Sequence, residues 1–403
     1  MAKDFTIFPI RDWASGQYET VLKTGSDTKM GKYKIIADHK IPYLRGVLEP
    51  YAEVTYLPGR DITKELIRNA DALIIRTRTL CNESLLKDTG VKFIATATIG
   101  YDHIDTAWCE ANGIQWANAP GCNSSSVMQY IASVLVTLSQ LKHESPERKV
   151  LGVIGVGHVG SKVAALGRIL GMHVLLNDPP RARREGMDGF VDLDDLLQEA
   201  DVVTLHVPLE KKGPDATWHM ADAGFFEKMK KGAWFINSSR GSVTDNSALF
   251  TAIKINKPGA VVLDVWEGEP EIDRELLSRV TIATPHIAGY SADGKAAGTA
   301  MAVRSLARFF DLPLTSWYPS EVPRPQHPVI DLTGVPETEQ LPAAILHTYS
   351  VLEDDNRLRL SPDTFETQRE NYPVRREFPA YTVKNHTPVP AHEEKFRKLG
   401  FSI

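Results

Sequence analysis

Three side chains of this 403-residue chain could act together as chemistry: Arg240 in INSSRG, Glu269 in DVWEGEP and His286 in TPHIAGY. Removing hydride from a carbon that bears a hydroxyl requires a base for the hydroxyl proton, and histidine titrates in the useful range. A carboxylate beside it, Glu269, would stabilise the imidazolium and fix the ring. A guanidinium, Arg240, can grip a substrate carboxylate with two parallel hydrogen bonds and polarise the reacting oxygen. Taken singly, a histidine is more often structural and an Arg or Glu a solvated charge. The joint placement gives the triplet weight, since each residue follows an apolar, strand-like run, and open α/β sheets bind ligands beyond the carboxyl ends of their strands.

A second constellation lies upstream. Gly155, Gly157 and Gly160 form GVGHVG, with His158 and Val159 between them, directly after KVLGVI and before the helical SKVAALGRIL. That pattern suits a dinucleotide: a tight turn, close approach of backbone to pyrophosphate, and a helix N-terminus aimed at it. Asp178 ends the next strand, HVLLND, where a carboxylate would accept from the adenosine ribose diol and repel a 2′-phosphate. NAD is therefore expected rather than NADP. Arg181, Arg183 and Arg184 raise the opposite possibility, against their reading as solvated loop charges. Asp264, ending VVLDVW, is either a helix cap or a residue facing the nicotinamide end of the cofactor.

Positioning these residues takes an α/β scaffold. From Lys32, short β-rich runs alternate with helical patterns. KIIAD, ALIIRT and KFIATAT read as strands of a first unit, 32–122, completed by the helix after His286 over 287–310. The helix SSSVMQYIASVLVTLSQLKH, capped by Asn123 or a nearby serine, leads into a second unit, 123–286, with six strand candidates. The expected fold is two Rossmann-like, doubly wound parallel-sheet domains. Five prolines in 311–330 mark a linker, and 331–403 forms a small α+β domain. Residues 1–31 are a polar, aperiodic N-terminal extension, read as disordered. Both a functional tail and a start placed too far upstream fit it.

Composition narrows the partners. A net charge of −5 and 42% hydrophobic residues give no general attraction to nucleic acid or an anionic membrane. No apolar run approaches the roughly 20 residues that span a bilayer. Cys81, Cys109 and Cys122 show no CxxC spacing and no even count, which fits a reducing, cytoplasmic setting. No metal site is expected.

GVGHVG, INSSRG with VTDNSAL, LDVWEGEP and TPHIAG together resemble the D-isomer-specific 2-hydroxyacid dehydrogenases over residues 32–310. The resemblance implies NAD as cofactor and Arg240, Glu269 and His286 as catalytic residues. It implies cofactor contacts from Asp178, Asp264, Ser238, Ser239, Arg240 and Gly289. Val207 departs from the pattern where a hydroxyl is expected, so only its backbone would serve. TATIGYDHID, AWCEANGI, APGCNSSSV, NDPPRARR and HIAGYSADGKAAGT, with RENYPVRREF in the tail, are similar to a branch of the family acting on a phosphorylated 2-hydroxy acid. That branch implies substrate contacts from Thr77, Thr98 and Tyr290 and a homodimer formed through 331–403. In an acidic chain a phosphate requires a local basic cluster, and Arg76 and Arg78 after ALII supply one. Read as extended chain, they point to one side and Thr77 to the other. The alternatives are two solvated arginines, or Arg375 and Arg376 of the tail. Rival readings of the whole are a phosphoglycerate dehydrogenase and an NAD-sensing corepressor on the same fold.

Overall fold

The computed structural model describes residues 33–403; the N-terminal extension lies outside the described residues. Two wholly parallel sheets carry the architecture. The first contains β1 (Tyr33–Asp38), β2 (Ala52–Leu57), β3 (Ala72–Ile75), β4 (Phe93–Thr96) and β5 (Gln115–Ala117), in the order β2-β1-β3-β4-β5. The second contains β6 (Val150–Ile154), β7 (His173–Asn177), β8 (Val202–Leu205), β9 (Trp234–Asn237), β10 (Ala260–Leu263) and β11 (Ile282–Ala283), in the order β11-β10-β9-β8-β6-β7.

The continuous apolar runs follow from burial on both faces. Along the second sheet, Leu151, Val153, Val202, Trp234, Ile236 and Val262 face one core, which includes the helices Ser124–Lys142 and His158–Ile169. Their neighbours Ile154, Val203, Phe235, Val261 and Leu263 face the other. The first sheet divides the same way, Ile35, Ile74 and Phe93 on one side and Ile36, Leu73, Ile75 and Ile94 on the other. The helix Ala292–Phe310 returns to this sheet, packing Val303, Leu306 and Phe310 on its first face.

The tail adds a two-stranded parallel sheet, β12 (Val329–Asp331) with β13 (Thr382–Lys384), and four helices including Glu337–Thr348, Val351–Leu360, Phe365–Glu370 and Pro390–Leu399. Its apolar residues are not a separate core. Ile345, Tyr349, Val351, Phe378 and Phe396 belong to the same buried cluster as Tyr130, Ile131 and Val134 of the helix Ser124–Lys142. That helix begins after Asn123, whose side chain makes no capping bond.

Two expectations need correction in the first sheet. It has five strands, β2 and β5 being additional to the three read from the sequence. β3 stops at Ile75, and residues 77–79 turn, with the Thr79 amide donating to the Arg76 carbonyl. The alternation argument for Arg76, Thr77 and Arg78 therefore does not apply.

Candidate active site

The switch in strand order falls at β6, between β7 and β8, and the glycine loop leaves its carboxyl end. Gly155 turns at φ +84°, and a Cβ there would lie 2.7 Å from the carbonyl oxygen of His206 and from Cγ1 of Val207. A Cβ on Gly160 would overlap the carbonyl oxygen of Gly155, so the helix meets its own loop only through glycine. Gly157 opens to empty space at the N-cap of the helix His158–Ile169, which has no side-chain cap. Its first amides are free for an anion. His158 packs against Gly121 of the first unit, and Val159 is half-buried against the core. These features fit a dinucleotide's diphosphate.

Asp178 is spent more fully than a ribose ligand need be. One oxygen accepts from the Val156 amide at 2.8 Å and the other caps the helix Pro179–Glu185 through the Arg181 amide at 3.0 Å. The three nearby arginines are each committed to a carboxylate: Arg181 and Arg184 to Glu185, Arg183 to Asp215. Those two arginines hold the Glu185 carboxyl down to about 2. At β8, Val207 covers the glycine loop and offers no hydroxyl. His206, bonded to Thr204 at 3.0 Å, is pushed by burial to about 3. After β9, Ser239 bonds Asn237 at 2.8 Å, whereas the buried Ser238 hydroxyl has no partner.

Of the three chemically promising residues, His286 and Glu269 meet directly, and Arg240 follows β9, the strand beside the one that precedes Glu269. His286 Nδ1 lies 2.8 Å from Glu269 Oε2, with side-chain exposures of 32% and 19%. The other Glu269 oxygen accepts from the Trp266 amide at 2.8 Å. Burial alone would raise the Glu269 carboxyl, but the His286 charge and hydrogen bond, the Trp266 amide and the Arg369 charge hold it below its ordinary range. Arg240 crosses to the loop after β4. Its guanidinium crowds Gly100, lies 3.6 Å from Asp102, and donates to the Ser239 carbonyl at 2.9 Å. Thus the carboxyl ends of the two sheets face one another.

Asp264 is 1% exposed and turned under the histidine loop. It accepts from Thr284 at 2.6 Å, from the Ile287 amide at 2.8 Å and from the Ala288 amide at 3.0 Å. It is not the helix cap weighed above. Burial pushes its carboxyl up, against His286 and these donors. His286 itself sits at φ +56°, a left-handed conformation costly for a residue with a side chain.

On the substrate side, Thr98 bonds Thr96 at 2.7 Å and the Gly100 carbonyl at 2.9 Å, and Thr77 is exposed. Gly289 sits against Asn123, its neighbour Tyr290 toward the tail. Arg76 makes two hydrogen bonds to the fully buried Asp38, at 3.0 and 3.4 Å. Arg78 pairs with Glu366, whose other oxygen takes Arg369 at 2.9 Å. Within one chain the tail pair is committed elsewhere: Arg375 is 5% exposed and Arg376 forks onto Asp293 at 2.9 Å. Sequence reasoning missed two other cations. Arg369 donates to the Tyr290 hydroxyl at 3.2 Å, and Lys295 Nζ lies 5.0 Å over the Tyr290 ring with no carboxylate partner among the described residues. Lys295 stands in the motif HIAGYSADGKAAGT and Arg369 opens RENYPVRREF, so the signal was their shared proximity to Tyr290, which only the fold supplies.

The curated relatives of the chain share one activity, and its structural neighbours are related dehydrogenases and reductases. The family model described as D-isomer specific 2-hydroxyacid dehydrogenase, NAD binding domain, matches residues 129–288, and a domain of unknown function matches 322–400. The erythronate-4-phosphate dehydrogenase of Bacteroides thetaiotaomicron is 51% identical over 87% of this chain and 99% of its own length. That of Porphyromonas gingivalis is 43% identical over 89% and 97%. A D-lactate dehydrogenase structure from Aquifex aeolicus, complexed with NAD and lactic acid, is 26% identical, with a TM-score of 0.58 over 69% of this chain and 95% of that one.

Proposed function

The chain belongs to the erythronate-4-phosphate dehydrogenases, within the D-isomer-specific 2-hydroxyacid dehydrogenases, and from that membership we propose a specific chemistry. It oxidises 4-phospho-D-erythronate at C2 to (R)-3-hydroxy-2-oxo-4-phosphooxybutanoate with NAD, in the synthesis of pyridoxal phosphate. The observation that carries the catalytic assignment is the 2.8 Å contact between His286 Nδ1 and Glu269. With Nδ1–H given to the carboxylate, the Nε2 lone pair is left to take the hydroxyl proton. Glu269 balances the imidazolium that forms. Arg240 clamps the substrate carboxylate and polarises the C2 oxygen. Bound NAD supplies the hydride acceptor. Gly155, Gly157, His158, Val159 and Gly160 cradle its diphosphate, with Asp178, Val207, Ser238, Ser239, Asp264 and Gly289 along its length. Asp178 would meet the ribose diol with the acceptor capacity its two amide bonds leave free.

Thr77, Thr98 and Tyr290 hold the substrate, and Arg78 supplies charge for its phosphate. Glu366 now bridges Arg78 and Arg369, the way a phosphate oxygen could. Arg76, tied to Asp38, orients the turn. A corepressor would need the pocket but not a base, a carboxylate and a clamp together. The phosphoglycerate reading loses to the relatives' identity and coverage. The test is NADH formation from a panel of 2-hydroxy acids with and without a terminal phosphate. The expected result is highest kcat/KM on 4-phospho-D-erythronate. Arg78→Ala should lower it there and little on unphosphorylated acids, whereas equal losses on both would move phosphate recognition elsewhere.

No helix among the described residues is long and apolar enough to cross a membrane, and all three cysteines are free. The proposed setting is the cytoplasm. The proposed assembly is a homodimer using 331–403, two-fold closure being the commonest soluble solution.

A further inference from the structure

We propose that the tail, through Arg375, is a positioning element of the active site: it clamps the loop that presents His286. This rests on His286 being the base. The loop has reason to need clamping. His286 holds a left-handed backbone conformation, and such strain persists only where surrounding contacts over-determine it. From beneath, Asp264 takes the Ile287 and Ala288 amides and its own carbonyl takes the His286 amide at 2.7 Å. From the tail, Arg375 Nη2 donates to the Ala288 carbonyl at 2.5 Å, and the Ala292 amide donates back to the Arg375 carbonyl at 2.8 Å. Ala288 is therefore gripped at both its amide and its carbonyl, in the two peptide units that flank it, two residues after the histidine.

The guanidinium is held in an unusual way. It is 5% exposed, and its Nε and Nη1 have no hydrogen-bond partner. It lies instead over the rings of Tyr349 at 4.5 Å and Tyr372 at 5.8 Å, and aromatic faces attract a desolvated cation. Both tyrosine hydroxyls donate to one oxygen of the buried Asp354, at 2.9 and 2.7 Å. Burial weighs against the charge of Arg375, and Tyr372, Tyr349, Asp354 and Asp264 more than offset it. A buried cation without a salt-bridge partner is costly. Merely anchoring the tail would not require one, since apolar packing already does so. What this cation does that an apolar residue could not is hold the Ala288 carbonyl.

The test compares Arg375→Met with Arg375→Lys in the full-length chain. In Arg375→Met we expect kcat to fall about 10- to 100-fold, equivalent to losing a charged hydrogen bond of roughly 1.5–3 kcal/mol, while KM and NADH affinity stay within about threefold. The acidic limb of the kcat–pH profile should also move, because the His286–Glu269 contact loosens. Arg375→Lys should recover much of the loss. If the methionine variant does not fold, the lysine variant alone decides, with a reduced kcat at unchanged NADH affinity expected. Wild-type kcat and pH profile in a folded Arg375→Met, or in Arg375→Lys where the methionine variant does not fold, even with a lowered Tm, would overturn the proposal. So would a loss confined to KM. If Arg375 variants behave as expected but His286→Ala turns over normally, the loop is clamped for some role other than general base, and the catalytic reading fails separately.

Discussion

Replacing Glu269 by Gln removes a charge and also forces a choice that the structure decides. Glu269 presents two acceptors, one to the Trp266 amide and one to His286 Nδ1, and an amide has only one. The Trp266 amide is a backbone donor that cannot turn, and stranding it would cost about 1–3 kcal/mol. The Gln oxygen should therefore face Trp266 and its NH2 face Nδ1. Nδ1 then becomes the acceptor, the ring proton moves to Nε2, and the lone pair needed for the hydroxyl proton is gone. The charge effect alone is smaller. Opposite charges about 4 Å apart at an effective dielectric near 20 attract by about 4 kcal/mol. With His286 at 32% exposure, roughly 1.5–3 kcal/mol is a fairer figure. A pure charge effect would act on the acidic limb of kcat and leave the plateau, since it removes only the coupling that holds Glu269 low. Loss of the tautomer lowers the plateau itself, by up to about 10,000-fold. Initial rates of NADH formation across pH distinguish these, with NADH binding as the control. We expect a plateau loss of at least about 100-fold; a plateau within threefold of wild type would refute the tautomer argument.

Asp178→Ala should narrow the preference for NAD over NADP by removing repulsion of the 2′-phosphate. It should also lower Tm, because it deletes a helix cap worth about 0.5–2 kcal/mol. Alanine in place of Arg183 should leave the preference unchanged; NADP used as well as NAD by wild type would show that the arginines escape their carboxylates. Burial pushes the Cys81 and Cys122 thiols up to about 12 and Cys109 to about 11. At neutral pH roughly 1 in 10,000 of Cys109 and about 1 in 100,000 of Cys81 and Cys122 is then thiolate, and iodoacetamide should leave activity intact over an hour, rapid inactivation being the contrary result. Light scattering on the full-length chain should give twice the 44.7 kDa monomer mass, and a monomer would remove the dimer. Truncation near Ile330 is a poor version of that experiment, because it would uncover Tyr130, Ile131 and Val134.

The second sheet was readable because five of its six strands are almost wholly buried, so GVIGVG and VVLDVW stand out as apolar runs between polar turns; β7 is half-exposed, and HVLLND stood out by its apolar composition and its place after the glycine motif. β2 and β5 were not, since their side chains are largely half-exposed and β5 has three residues. Arg240, Glu269 and His286 were found because strand ends mark their own positions in sequence. Arg76 and Arg78 were found as charges, but their partners Asp38 and Glu366 lie 38 and 288 residues away, and pairing at that distance leaves no local trace. Arg375 was weighed as a phosphate ligand, and its burial was hidden for the same reason. Its burial depends on Tyr349, Tyr372 and a loop 87 residues upstream.

The central claim, hydride loss from C2 with His286 taking the hydroxyl proton, is tested most directly by following a label. With 4-phospho-D-erythronate deuterated at C2, the account predicts one deuteron in the NADH formed and none in solvent. In His286→Ala the transfer should slow by about 100- to 10,000-fold while NAD still binds. Deuterium released to water, or transfer at the wild-type rate in that variant, would contradict it.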